Sequence, residues 1–356
     1  MQSRDAHPLA EVGWDTDVAE RFARLGDAAL EPGRLVADQG ARLLVHTSWG
    51  PEPAALARSL RGAGRAVAVG DWVGLARNDA GLEVRAVLER RSAIRRKVPE
   101  GESREQVLAA NVDLVLIATA LDGEFNERRV ERLLTLAYQG GAAPLVLLTK
   151  ADLGAPEAGL GALASAAPGV PALAVSAITG QGIDALRDRL RSGRTAVLLG
   201  SSGVGKSTLV NRLLGAELLR TRATHRTGHG RHTTSHRQLF PVPGGGVLID
   251  TPGLREVQLW AGEEGLDALF ADIERLELDC RFSDCRHETE PGCAVREALR
   301  DGRLDAGRWA SYQKLRRELR RIETRADARA RAEDLRRWKA LIADGRQRAR
   351  AKRGST

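Results

Sequence analysis

The segment Gly200-Ser201-Ser202-Gly203-Val204-Gly205-Lys206-Ser207 constrains the fold of this chain more than any other. It has the spacing G-x-x-x-x-G-K-[ST] of a phosphate-binding loop. It also follows the apolar run 195–199 and opens a helical pattern, the strand–loop–helix context that the motif requires. Glycines let the backbone curl until successive N–H groups face one anion, aided by the positive end of the following helix. On this reading Lys206 reaches the β- and γ-phosphates, Ser207 is a Mg²⁺ ligand, and Thr208 completes the nucleotide-binding run. The rhythm around the loop agrees. From Asn111 to Pro252 apolar strands alternate with helical stretches: strands at 112–118, 145–148, 173–175, 195–199 and 246–250, helices at 126–139, 182–191 and from Lys206. Such alternation predicts an α/β domain with a mostly parallel sheet covered on both faces.

Two further sites flank the loop. Asp250-Thr251-Pro252-Gly253 ends an apolar strand, where Asp250 can hold Mg²⁺ through water and the Gly253 N–H can sense a γ-phosphate. Upstream, Thr149-Lys150-Ala151-Asp152 follows a strand and is similar to the guanine-reading N-K-x-D. A carboxylate at Asp152 accepts from two guanine donors that adenine lacks, so it discriminates by hydrogen-bond loss. Lys150 would lay its stem along the base. Ser176-Ala177, also after a strand, matches the next base-contacting loop. Thr149 stands where Asn is usual, which leaves open how this loop is braced. An ATP-dependent enzyme sharing only the phosphate loop is the competing reading, and Asp152 speaks against it.

In ordinary GTPases the base-reading loops come last; here they come first. A circular permutation preserves the sheet while moving the chain ends, and it sends the second switch straight into the C-terminal part. The expectation is that motion at the γ-phosphate pulls directly on that part. The stretch 221–237 holds Arg222, Arg226, Arg231 and Arg237 with four of the seven histidines. It reads as a basic switch loop; a metal cluster of His225, His229, His232 and His236 is the alternative. Thr234 is favoured over Thr233 to complete the Mg²⁺ shell. Leu254 occupies the place where many GTPases carry a water-orienting Gln, so intrinsic hydrolysis should be slow; His232 is the candidate for positioning water.

From Gly33 to Lys97, short β-type runs at 34–37, 42–47, 66–76 and 82–88 are punctuated by glycine. They predict a small barrel, either an OB-fold or an SH3-like spacer. Its exit (Arg90, Arg91, Arg95, Arg96, Lys97) could track a phosphate backbone. Little order is expected before Glu31. All three cysteines lie in Cys280-x₄-Cys285-x-His287-x₅-Cys293. Three thiolates and one imidazole suit a closed, structural Zn²⁺ site, one per chain. The expected organisation is an extension over 1–32, a barrel over 33–98, a permuted GTPase domain over 104–262, and a mainly helical zinc-binding domain with a basic tail over 266–356. Net charge is +8, but 301–356 alone carries 18 Lys/Arg against 8 Asp/Glu, which points to a polyanion such as RNA. No apolar run is long enough to span a membrane, and Met1 to Asp15 lacks a signal-peptide core. The expectation is a cytoplasmic monomer.

Together, T-K-A-D, S-A, G-S-S-G-V-G-K-S, G-R-H-T-T at 230–234, D-T-P-G and the cysteine motif resemble the RsgA family of small ribosomal subunit biogenesis GTPases. The segments 69–73 (V-G-D-W-V) and 110–113 (A-N-V-D) are similar to that family too. The resemblance implies an N-terminal OB-fold, a permuted GTPase domain and a zinc domain. It further implies GTP and GDP as ligands, and the 30S subunit with its rRNA as partner. The implied task is late maturation of that subunit, with hydrolysis stimulated by it.

Overall fold

A computed structural model describes residues 7–38, 42–62, 67–97, 105–120, 126–191, 193–216, 237–250, 264–321 and 324. After a 3-10 turn over Ala10–Val12, helix α1 (Thr16–Ala23) opens at Asp15, whose carboxylate accepts from the Val18 N–H. Leu9, Val12 and Val18 are fully buried, in one core with Trp72 and the main sheet. This stretch is therefore structured, contrary to its weak sequence pattern: three apolar side chains suffice once a neighbouring domain supplies the other half of the core.

Strands β1 (Glu31–Asp38), β2 (Leu43–Thr47), β3 (Gly50–Leu56), β4 (Trp72–Asn78) and β5 (Gly81–Val87) close a barrel, with α2 (Arg58–Gly62) between β3 and β4. The order is β1-β2-β3-β5-β4-β1, antiparallel except for the parallel β3–β5 pair. This five-stranded topology is OB-like, not an all-antiparallel spacer barrel. Leu35, Val45, Val73, Leu75, Leu82 and Val84 fill it. Sequence reading misses β3 because Pro51 and Pro53 argue against a strand. They are tolerated because pairing to β5 starts only at Ala54, so their edge is open. β4 begins later than expected, at Trp72. The preceding turn has Gly70 at φ 96° and a buried Asp71 that accepts from the Ala68 N–H at 2.8 Å.

A hairpin of β6 (Ala93–Lys97) and β7 (Glu105–Ala110) leads to the second domain. There β8 (Leu114–Ala120), α3 (Glu127–Gln139), β9 (Ala143–Thr149), α4 (Pro156–Ala166), β10 (Ala172–Val175), α5 (Ile183–Leu190), β11 (Thr195–Gly200), α6 (Lys206–Leu214), β12 (Gln238–Pro241) and β13 (Val247–Asp250) follow in turn. The sheet runs β10-β9-β8-β11-β13-β12, parallel throughout except for edge strand β12. Successive strand residues face opposite sides. Leu116, Leu147 and Leu198 pack with α5 and α6, while Ile117, Val146 and Val197 pack with α3.

The barrel is fused to the edge of this sheet. A bridge joins Ala37 of β1 to Gln238 of β12, and buried polar groups complete the seam. Arg34 donates to the carbonyl of Val12, to Thr195 Oγ1 at 2.8 Å and to the Gly70 carbonyl at 3.4 Å. Asn111, at φ 52°, donates to the same Gly70 carbonyl at 3.0 Å. Arg90 forks onto Asp71, which is completely buried, at 2.7 and 2.8 Å. Arg91 pairs with Asp15 at 3.1 Å and Asp17 at 3.4 Å. Two of the five cations expected at a phosphate-tracking exit are thus paired with acids of the chain itself, one buried and two exposed.

The C-terminal part has α7 (Glu264–Leu269), α8 (Ala271–Leu278), α9 (Ala294–Asp301) and a helix α10 over 306–321. It docks on α3. A Cβ at Gly265 would lie 2.3 Å from the Thr135 carbonyl, so only glycine lets α7 come this close. Arg308 crosses the seam, donating to Asp272 at 2.6 and 2.8 Å and to the Ala166 carbonyl at the end of α4 at 2.8 Å. Since α7 is seated on α3, the second switch leads first to a segment anchored on the GTPase domain. The expected pull of the second switch falls on 251–263, outside the described residues. Among the described residues, no helix is long and apolar enough to cross a membrane.

Candidate nucleotide site and metal cluster

The phosphate loop joins β11 to α6. Gly200, Gly203 and Gly205 adopt φ values of 148°, 89° and 91°, backbone that side-chain-bearing residues seldom adopt. Gly205 caps α6, so the loop's N–H groups and the helix start converge. Lys206 Nζ donates to the carbonyls of Gly200 at 2.8 Å and Ser201 at 2.5 Å. Burial lowers its pKa, and the charge of Asp250 pulls it partly back. Val204 is buried beneath the loop, Ser202 and Gly203 are exposed above it, and Ser207 and Thr208 are half-buried in the first turn of α6. Asp250 ends β13 in register with Leu198 of β11, beside the loop. Thr234, His232 and Gly253 lie outside the described residues.

The loop after β9 sits next to the one after β10. The Ala151 N–H donates to the Val175 carbonyl at 3.2 Å, and Lys150 holds φ 57°. Asp152 is exposed at the rim. Ser176 is fully buried, its hydroxyl accepting from the Thr179 N–H at 3.1 Å and its carbonyl from the Gly180 N–H at 2.9 Å. Ala177 follows, partly buried. Thr149 settles how the first loop is braced: its hydroxyl donates to the Val204 carbonyl of the phosphate loop at 2.6 Å and lies 3.2 Å from that of Thr119. A threonine at this position thus ties the loop after β9 to the phosphate loop. The sequence carried the residue but not its reach across 55 positions.

Cys280, Cys285, His287 and Cys293 bring one ligand atom each within 4.8 Å of one another. His287 Nδ1 is 3.4 Å from Cys293 Sγ and 3.6 Å from Cys280 Sγ, and the two thiols are 3.9 Å apart. Thiolates about 2.3 Å from a tetrahedral ion would stand about 3.8 Å apart, so the donor set fits a four-coordinate metal. Sequence reading missed the outer partners. Glu277 Oε1 accepts from His287 Nε2 at 3.2 Å and from Arg316 at 2.9 Å, orienting the ring so that Nδ1 faces the thiols. Cys293 also caps α9, accepting from the Arg296 N–H at 3.5 Å. Glu277 lies three residues before Cys280 on a helix, a spacing that could have flagged it.

The strand order, with a phosphate loop after β11 and the T-K-A-D and Ser176-Ala177 loops preceding it in the chain, is that of a circularly permuted P-loop GTPase. A family model described as RsgA GTPase matches residues 87–260. The chain is 46% identical to the small ribosomal subunit biogenesis GTPase RsgA of Streptomyces avermitilis over 358 residues, covering 99% of this chain and 96% of that one. The protein of the same name from Syntrophotalea carbinolica is 40% identical over 354 residues, covering 95% and 97%. Among solved structures, YjeQ from Thermotoga maritima aligns at TM-score 0.62 and 26% identity, over 82% of this chain and 98% of that one. YloQ, a circularly permuted GTPase, shares the fold at TM-score 0.59 and 22% identity, over 84% and 96%. This chain belongs to the RsgA family, a family of GTP-hydrolysing enzymes.

Proposed function

We propose that this chain binds the small ribosomal subunit, assists its late maturation, and hydrolyses GTP faster when bound to it. The reading is supported by the relatives' names and, in this chain, by one observation above others: the Thr149 hydroxyl on the Val204 carbonyl. That bond makes the base-reading and phosphate loops a single site. Asp152, with Lys150, Ser176 and Ala177, takes guanine; the run Gly200–Thr208 takes the phosphates, with Lys206 on the β- and γ-oxygens. Ser207, Asp250 and Thr234 would hold Mg²⁺, which neutralises charge on the phosphate oxygens when bound. Gly253 would sense the γ-phosphate. Leu254 cannot orient water, so His232 or a group ordered by the subunit must do so. Zn²⁺ is the metal that three thiolates and one imidazole suit; with no ligand place left open, it acts as a structural staple. The basic residues after Asp301 fit rRNA, and the protein works in the cytoplasm as a monomer.

GTP turnover measured with and without purified 30S subunits tests this, with Lys206→Ala as control. Strong stimulation that the variant loses is expected. GTP binding with no stimulation would instead mark a GTP-gated binding protein with another partner.

A further inference from the structure

Helix α3 carries charges of the wrong sign for their place. After the Asn126 cap its first turn reads Glu127-Arg128-Arg129. Arginine here opposes the positive end of the helix dipole. Asn126 nonetheless fixes this turn by accepting from the Arg129 N–H at 3.1 Å. From it, Arg129 Nη1 reaches Ser201 Oγ at 2.6 Å, 72 residues away in sequence. The carbonyl of the same serine accepts from Lys206 Nζ at 2.5 Å. One residue of the phosphate loop is therefore gripped from both sides by cations. Among the described residues Arg129 forms no ion pair with a carboxylate. A solvent-exposed bond of this kind adds little to fold stability, so stability does not account for an arginine placed against the dipole. A neighbouring anion does.

We propose that Arg129 is a positioning residue of the phosphate site. By holding Ser201 Oγ it sets the curl of the loop 200–205 before nucleotide arrives, which lowers the cost of ordering that loop on binding. Its effect falls on affinity for the phosphates rather than on the chemical step. The proposal rests on the assignment of this loop to GTP.

The test compares GTP hydrolysis and equilibrium binding of a fluorescent GDP for the wild type, Arg129→Ala, Ser201→Ala, the double variant and Lys206→Ala. Arg129→Ala should raise KM for GTP and weaken GDP binding by about fivefold, with kcat little changed and the thermal midpoint intact. Ser201→Ala should do the same, and the double variant should be no worse than either single one. Arg129→Lys should recover part of the loss, because an ammonium can still reach the hydroxyl. An unchanged KM in Arg129→Ala, or effects that multiply in the double variant, would overturn the proposal. Lys206→Ala separates the two claims: if it bound nucleotide like the wild type, the site assignment itself would fail.

Discussion

Two buried arginines hold the two seams of this molecule, and they do so under opposite electrostatic conditions. Arg34 joins the barrel to the sheet, and Arg308 joins the C-terminal helices to α3 and α4. Both stack on an aromatic ring, Arg34 over Trp72 at 4.9 Å and Arg308 over Phe270 at 4.7 Å. Among the described residues Arg34 donates only to neutral oxygens, those of Val12, Gly70 and Thr195. Burial draws its pKa down to about 9, against the more distant pull of Asp113. Arg308 instead forks onto the Asp272 carboxylate. A charge held by neutral acceptors needs every one of them in place, so Arg34 fixes a single geometry at its part of the barrel seam, beside the Arg90–Asp71 pair. An ion pair at a half-exposed rim can loosen and rehydrate. The C-terminal part carries a Cys/His group that could hold a metal ion and docks on α3, so its order can be tested apart from that of the barrel and sheet.

Metal removal tests that division most severely. Structural zinc sites supply roughly 10 kcal/mol or more of folding free energy to the small domains that carry them. Chelation, or Cys285→Ser, should melt the helices around the cluster and leave the barrel–sheet body folded, seen as a separate low-temperature transition in calorimetry. One undivided transition, shifted as a whole, would show that the two seams are equally rigid.

Arg34→Met comes next in size. It leaves three acceptors without their donor inside the seam, a loss of about 3 kcal/mol, and it should lower the main transition. Arg308→Met should cost about 2 kcal/mol, because Asp272 regains water, and it should act on the C-terminal transition alone. The pair also predicts a pH effect. Burial pushes the Asp272 carboxyl up, but the bond and charge of Arg308 more than offset it, so its pKa lies below the ordinary value. Its contribution is present above the unfolded pKa near 3.8 and is lost as pH falls through the folded one. Acid should therefore loosen the C-terminal seam where Arg308 grips Asp272, which hydrogen exchange at α8 can follow.

What could be read from the sequence follows the same line between local and distant. The phosphate loop, the T-K-A-D loop, Ser176-Ala177 and the cysteine motif are short strings whose chemistry is complete within a few residues, and the structure brings the first three to one end of the sheet. The role of Arg34 was hidden because its acceptors lie 22, 36 and 161 positions away. Arg90 and Arg91 read as surface cations for the same reason: their acids, Asp71, Asp15 and Asp17, are supplied by other elements. Strand β3 was lost to Pro51 and Pro53, residues that only an open edge excuses. Helix α4, with Gly159 and Gly161, has a composition that does not announce a helix. Its order comes from packing, with Leu163 buried and the Ala166 carbonyl held by Arg308.

Glu131 offers the smallest and most discriminating test. It lies on α3 at the C-terminal seam, 3% exposed, and its Oε2 has no hydrogen-bond partner among the described residues. Burial raises its pKa, and a bond from Ser311 and the charge of Arg308 only partly counter this. The folded state thus keeps a proton that the unfolded chain releases near 4.5. Stability should fall as pH rises from that value through the folded pKa, and stay reduced above it. Glu131→Gln keeps the shape and an acceptor for Ser311 while removing the charge. It should be near neutral at about pH 4 and stabilising by about 1 kcal/mol at about pH 8, read from urea midpoints at both. If glutamine destabilised the protein at pH 8, the carboxylate would be a working partner of Arg308. The C-terminal seam would then be locked by buried charge as firmly as the barrel seam, and the contrast between the two arginines would collapse.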